Sequence, residues 1–286
     1  LKKEERALLE AIEERARLRE RRKQEREQDN PRKPFRLQAR QTVTTLLLAP
    51  DETYVLAAVT ERPEQAATAI VPNYVTESGY TEEIRTRTKV GDALPRVRWA
   101  IVRVDTGEWK WIAHGQKTAA KDGKETERAL TLSNPFWSEQ GGRLVMAGGS
   151  ADNKDRWLFA IDPASAAARV LFHERDEAWV NNYGPRAMGF LGDHETVYFL
   201  SERDGWRHLY TVPYAGGEPR QLTSGKWEVH SATLSRDRQT FYLVTSEHSL
   251  HERHLYAMPA AGGARQRITA APGSHAATLS PDEQTL

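Results

Sequence analysis

The chain has 286 residues, 38% of them hydrophobic, which is enough for one large core or two modest ones. A net charge of +1 supplies no field to steer nucleic acid or a membrane surface, and the absence of cysteine excludes disulfides and thiolate chemistry. No apolar run approaches the roughly 18–20 residues of a membrane-spanning helix.

Residues 1–40 read as a charged helical extension and linker. Lys2 to Gln28 is packed with Glu, Arg and Lys and holds no Gly or Pro, a composition that favours helix. Leu8, Ile12 and Ala16 form a thin apolar stripe, expected to dock the helix by one edge. Pro31 and Pro34 end it. Acidic residues interleaved with the basic ones argue against a nucleic-acid arm.

From Gln41 onward the pattern is strand, turn, strand. Thr42–Leu48 and Tyr54–Val59 flank Pro50-Asp51, and Trp99–Val104 and Trp109–Ile112 flank Thr106-Gly107. Together they predict one four-stranded unit with an insertion over 61–96. A second unit runs from Leu132 through 144–147 and 157–161 to 170–172. A third runs from Met188 through 197–200 and 208–212 to 220–222. A fourth runs from Ala232 through 240–245 and 254–258 to 266–268. Thr278-Leu279 begins a fifth.

The third and fourth units repeat each other. His208-Leu209-Tyr210-Thr211-Val212-Pro213 recurs 46 residues later as His254-Leu255-Tyr256-Ala257-Met258-Pro259, each followed closely by Ala-Gly-Gly. A step of about 40–50 residues without helical periodicity is the mark of propeller blades. The expected fold is all-β: a β-propeller segment of four-stranded antiparallel blades over 41–286, about four blades and the start of a fifth, behind an N-terminal charged α-helix. Leu1 is not an initiator methionine and the last hairpin stops short, so the chain reads as a piece of a longer one.

Strand order predicts geometry. Turns between strands two and three share a face with the links between blades, so the helix, the insertion, the loops at 149–155, 202–206 and 247–252 and the link at 174–185 belong on one side. Long loops on a rigid scaffold are where binding concentrates.

The sequence holds no Gly-x-Ser-x-Gly nucleophile elbow. No catalytic residue, metal site or cofactor is assigned. His248, His251 and His254 stand at three-residue steps but straddle a loop and a strand start, and read as solvated loop histidines. Asp152-Asn153-Lys154-Asp155 lacks the Gly and distal Glu of a calcium loop and reads as a tight polar turn. Glu202, Arg203 and Asp204 read as a solvated loop tip before Gly205.

Two segments, Ser201-Glu202-Arg203-Asp204-Gly205-Trp206-Arg207-His208-Leu209-Tyr210 and Gln221-Leu222-Thr223-Ser224-Gly225-Lys226-Trp227-Glu228-Val229, resemble the prolyl oligopeptidase family, in its dipeptidyl peptidase IV-type branch. Arg87 to Val97 resembles a Lys-x-Gly-x-x-x-Pro run of that branch. The resemblance implies the later blades of a propeller that precedes an α/β-hydrolase domain. It implies a non-catalytic part of a serine peptidase that gates and positions peptide substrates for that domain. A TolB-like propeller adaptor for protein–protein interaction is the alternative, since such proteins share the Leu279-Ser280-Pro281-Asp282 turn.

The resemblance also implies site residues. The family holds a substrate's amino group with paired Glu on a helix before the first blade seen here. Glu4-Glu5 and Glu13-Glu14 occupy that place without the family's aromatic lead, while Tyr80-Thr81-Glu82-Glu83 is closer in sequence but lies after strand two. Tyr183 and Arg186 fill the place of an aromatic and an Arg that meet the substrate's second residue; the competing reading is a Gly-Pro turn with Trp179 packed between blades. The substrate-binding candidates are therefore Tyr183, Arg186, Glu82 and Glu83. The expected partners are a peptide substrate through the hydrolase domain, the missing blades and a second copy of the chain, with no nucleic acid and no membrane. A periplasmic or secreted setting is the working expectation.

Overall fold

A computed structural model describes residues 2–285 apart from 31, 33, 65–66, 120–122, 182–187, 277 and 284, and apart from the side chains of residues 2–5. Helix α1 (Lys2–Asp29) is built as its composition dictates, with surface pairs such as Arg6–Glu10 (3.3 Å) and Arg21–Glu25 (3.4 Å) one turn apart. The expected docking edge does not form: Leu8, Leu9 and Ile12 are 62%, 61% and 52% exposed. An apolar stripe this narrow, flanked by charge all round, has little area to bury. Beyond the helix, Phe35 sets its ring edge-on to Trp109 (4.7 Å) and Trp111 (6.0 Å), tying the linker to the first blade.

Blade one is β1 (Gln41–Leu48), β2 (Tyr54–Glu61), β5 (Arg96–Arg103) and β6 (Trp109–Trp111), hydrogen-bonded in that order. Its insertion folds into a separate hairpin, β3 (Ile70–Asn73) and β4 (Glu82–Arg85). A second small hairpin, β7 (Lys117–Ala119) and β8 (Glu125–Glu127), links blades one and two; its short polar strands carry no alternation that sequence reading could detect. Blade two is β9 (Leu130–Trp137), β10 (Leu144–Ser150), β11 (Asp155–Ile161) and β12 (Ala168–Arg175). Blade three is β13 (Met188–Phe190), β14 (Thr196–Ser201), β15 (His208–Pro213) and β16 (Arg220–Gln221). Blade four is β17 (Val229–Leu234), β18 (Thr240–Thr245), β19 (His254–Pro259) and β20 (Gln266–Arg267). Every pairing within a blade is antiparallel and, except for β2 with β5 across the inserted hairpin, joins successive strands, the meander of a propeller blade.

The same turn opens each blade. Ser138, Leu191 and Ser235 each donate a backbone N–H to the carbonyl five residues on, and residues Gly141, His194 and Arg238 take positive φ inside the turn. Ser280 to Thr285 close an identical turn with Glu283 at φ 57°. The short side chains of Ser235 and Ser280 brace it by bonding Asp237 (2.5 Å) and Asp282 (2.6 Å).

The repeat that marks the sequence has a mechanical basis. In blade three the Leu209 N–H donates to Thr223 Oγ1 (3.0 Å), which bonds His208 Nδ1 (3.0 Å), while His208 Nε2 meets the Gly225 carbonyl (3.0 Å). Blade four repeats the clamp with Leu255, Thr269 and His254. Each clamp fastens the third strand to the chain that follows the short fourth strand, where ladder bonds have run out.

Blades stack face to face. One cluster joins Leu56, Trp99 and Ile101 to Met146, Trp157 and Phe159 across blades one and two. A second joins Leu158 and Phe172 to Phe190, Phe199 and Tyr210, and a third joins Leu200 and Leu209 to Phe241, Leu243 and Met258. A cation on the fourth strand of blades one, two and three reaches the next blade's last turn: Lys110 bonds the Ala164 carbonyl (2.8 Å), Arg169 that of Tyr214 (2.5 Å) and Arg220 that of Ala261. The interior strand β11 is buried along its whole length, whereas β18 alternates buried and half-buried, leaving Tyr242 and Val244 on a face that no blade among the described residues covers. The fold is an all-β propeller of four-stranded antiparallel blades.

Candidate functional site

Of the segments expected to share a face, the loops at 149–155 and 202–206 and the link that begins at 174 bond one another. The β10–β11 turn is a tight polar turn: Asp152 accepts from Ser150 Oγ (2.5 Å) and from the Lys154 N–H (3.2 Å), and Asn153 takes positive φ. The link after β12 docks on it, with the Val180 N–H on the Asn153 carbonyl (2.7 Å) and Lys154 on Glu177 (3.2 Å). At its far end Asn181 Nδ2 donates to both carboxylate oxygens of Glu202 (2.9 Å each), fixing the link to the β14–β15 turn. Glu202 is thus a tether rather than part of a solvated tip, and Arg203 lies 5.5 Å over the ring of Phe172.

Beneath these loops sit two buried ionic centres. Asp155 accepts from Arg175 (2.7 Å), from Arg128 and from His173 (2.8 Å). Glu174 lies 3.5 Å from Arg156, receives the Ser201 hydroxyl, and is pushed above the usual carboxylate range by burial against the pull of Arg156. Arg156 reaches into blade three to bond the Leu200 carbonyl (2.8 Å). Sequence reading missed both centres. The signal was present in register: Asp155 opposes Arg175 and Arg156 opposes Glu174, two complementary rungs at the end of one hairpin.

Tyr183 and Arg186 lie outside the described residues, in the segment between Asn181 and Met188. Trp179 does not pack between blades. It is 63% exposed, because Asp176 takes its N–H (3.2 Å) and that of Ala178 (2.7 Å) and turns the chain outward. Glu82 and Glu83 stand exposed on β4 opposite Asn73 and Pro72, their carboxylates without a hydrogen bond or ion pair among the described residues. Successive strand residues face opposite sides, so the two carboxylates do not converge on one cation. Glu13 and Glu14 are exposed on α1, and the Glu4 and Glu5 side chains lie outside the described residues. The solvated-histidine reading holds for His248 and His251, which are exposed, and fails for His254, which is 1% exposed and bonds Glu252 Oε2 (3.0 Å), held by the clamp that gives the repeat its form. The arrangement is a polar loop platform cross-linked by hydrogen bonds between blades two and three.

Comparison with known proteins agrees with this architecture. The family model described as the dipeptidyl peptidase IV (DPP IV) N-terminal region matches residues 42–286. A probable dipeptidyl peptidase 4 of Neosartorya fischeri is 32% identical over 221 residues, covering 73% of this chain and 28% of that protein. Its counterpart in Aspergillus flavus is 38% identical over 105 residues, 34% of this chain and 13% of that protein. The crystal structure of Porphyromonas gingivalis dipeptidyl peptidase 4 superposes with a TM-score of 0.66 at 18% identity, covering 83% of this chain and 32% of that one. The chain therefore spans under a third of the length of these relatives.

Proposed function

The chain belongs to the family of dipeptidyl peptidase IV N-terminal regions, and from that premise we propose that its blades gate and position peptide substrates for the hydrolase domain of a serine peptidase. Hydrolysis itself is the work of that other domain. The observation that carries the reading is the tethered link: Val180 on Asn153 and Asn181 on Glu202 hold the chain that enters 182–187 to blades two and three at once. Anchoring the chain just before a contact segment lowers the entropic cost of engaging a ligand, which is what substrate positioning needs. Tyr183 and Arg186 are the proposed contacts for the substrate's second residue. Glu82 or Glu83, one of them rather than the pair, is the proposed partner of a protonated amino group. The uncovered face of blade four, with Tyr242 and Val244, is the proposed seat of a further blade of the parent propeller, or of a second copy.

The test is kinetic. In the parent peptidase, Asn181→Ala combined with Glu202→Gln is expected to raise KM for dipeptidyl anilides several-fold with kcat nearly unchanged, because positioning and not chemistry is loosened. Unchanged KM, with kcat also unchanged, would remove the link from substrate handling.

A further inference from the structure

The clamps of blades three and four differ at one bond. His208 Nε2 is capped by a backbone carbonyl, that of Gly225. In blade four the same nitrogen of His254 faces a carboxylate, Glu252 Oε2, at 3.0 Å. His248 brings its own Nε2 to 4.0 Å from the same oxygen. These three ligand atoms lie within 4.8 Å of one another. We infer that His248, Glu252 and His254 form a binding site for one divalent transition-metal ion of the zinc class, on the loop between β18 and β19.

Two neutral imidazoles and a carboxylate are the donor set of zinc sites with an open fourth position. Tetrahedral bonds of about 2.0–2.2 Å place neighbouring ligand atoms about 3.3 Å apart, so the observed 3.0 and 4.0 Å separations bracket what the ion requires. The outer partners are in place. Thr269 Oγ1 holds His254 Nδ1 at 3.1 Å and aims the other nitrogen at the site, and the Gly273 N–H donates to Glu252 Oε1 (3.2 Å). His254 accepts an ion by a tautomer change. Its proton moves from Nε2 to Nδ1, Thr269 Oγ1 becomes the acceptor, and the freed Nε2 lone pair meets the metal, with no proton lost from the ring. Access comes from the solvent side, where His248 is half exposed. The ion would staple an exposed loop to the buried start of β19; blade three, with its carbonyl cap, is the built-in control.

Untagged protein is titrated with zinc against a chromophoric chelator, and with cobalt(II), whose visible absorption reports a four-coordinate site. One equivalent of either ion is expected to bind, and zinc is expected to raise Tm. His248→Ala and Glu252→Gln should each weaken zinc at least 10-fold and abolish the Tm rise, with the metal-free Tm unchanged in His248→Ala, whose side chain is half exposed. Thr269→Val should weaken zinc about 10- to 100-fold, the usual loss when an outer partner is removed. His251→Ala, outside the donor set, should change nothing. Absence of one-equivalent binding, or equal affinity in His248→Ala and wild type, overturns the proposal.

Discussion

Arg156 and Glu174 face each other on adjacent strands of blade two, both buried, and Arg156 extends past its partner to the Leu200 carbonyl of blade three. One guanidinium thus spans an ion pair and a blade boundary.

Removing it should be costly. Arg156→Met strands a buried carboxylate, and a loss of about 3–5 kcal/mol at pH 7.5 is expected from denaturant unfolding. Burial already raises the Glu174 pKa, and loss of the cation raises it further. A carboxyl raised in the folded state contributes stability that is fully present below its unfolded pKa and is lost as pH rises through the folded value. The Arg156→Met penalty should therefore shrink toward pH 5. A penalty that is flat between pH 5 and pH 7.5 would deny the pair its role.

The His–Thr clamps make a second claim. Thr223→Val leaves the Leu209 N–H and His208 Nδ1 without partners in a buried site, and a loss of about 1–3 kcal/mol is expected. Thr223→Ser keeps the hydroxyl and should retain most of the stability. Equal losses for Val and Ser would show that packing, not hydrogen bonding, sets the cost.

His230 gives a third. Burial, with Arg253 and Arg207 adding to it, lowers its pKa to about 4, and Arg207 Nη2 points a proton at its Nδ1 from 2.8 Å. The unfolded chain takes up a proton near pH 6.5 and the folded one does not, so this residue makes stability fall as pH drops from 6.5 toward 4. The full effect is at most about 3 kcal/mol. His230→Gln should flatten the acid limb of the Tm–pH curve; an unaltered limb would mean that the ring charges freely in the folded protein.

The free face of blade four predicts self-association. Purified residues 1–286 should sediment as a concentration-dependent mixture, and Tyr242→Ser with Val244→Thr should shift it toward monomer. A monomer at all concentrations would count against an uncovered apolar face.

What the sequence made legible is what repeats. The 46-residue recurrence around His208 and His254 marks a clamp that blades three and four both build, so its residues recur with those blades. Strand alternation placed the blades for the same reason. The ionic centres at Asp155 and Glu174 were hidden because each partner is contributed by a different strand, and only register brings them together. The helix was read too generously: Leu8 and Ile12 keep helical spacing, but spacing says nothing of whether a surface exists to receive them. His254 was misjudged because loop and strand residues look alike in one dimension, and the partner that holds its ring, Thr269, lies 15 residues away.

The central claim is that this propeller serves a peptidase without being one, and a single assay with a dipeptidyl anilide tests it most directly. Residues 1–286 alone should release no product, while the full-length parent should, with KM raised several-fold by Asn181→Ala and by Arg186→Ala and kcat held. Turnover by residues 1–286, or none by a folded parent, would contradict the account.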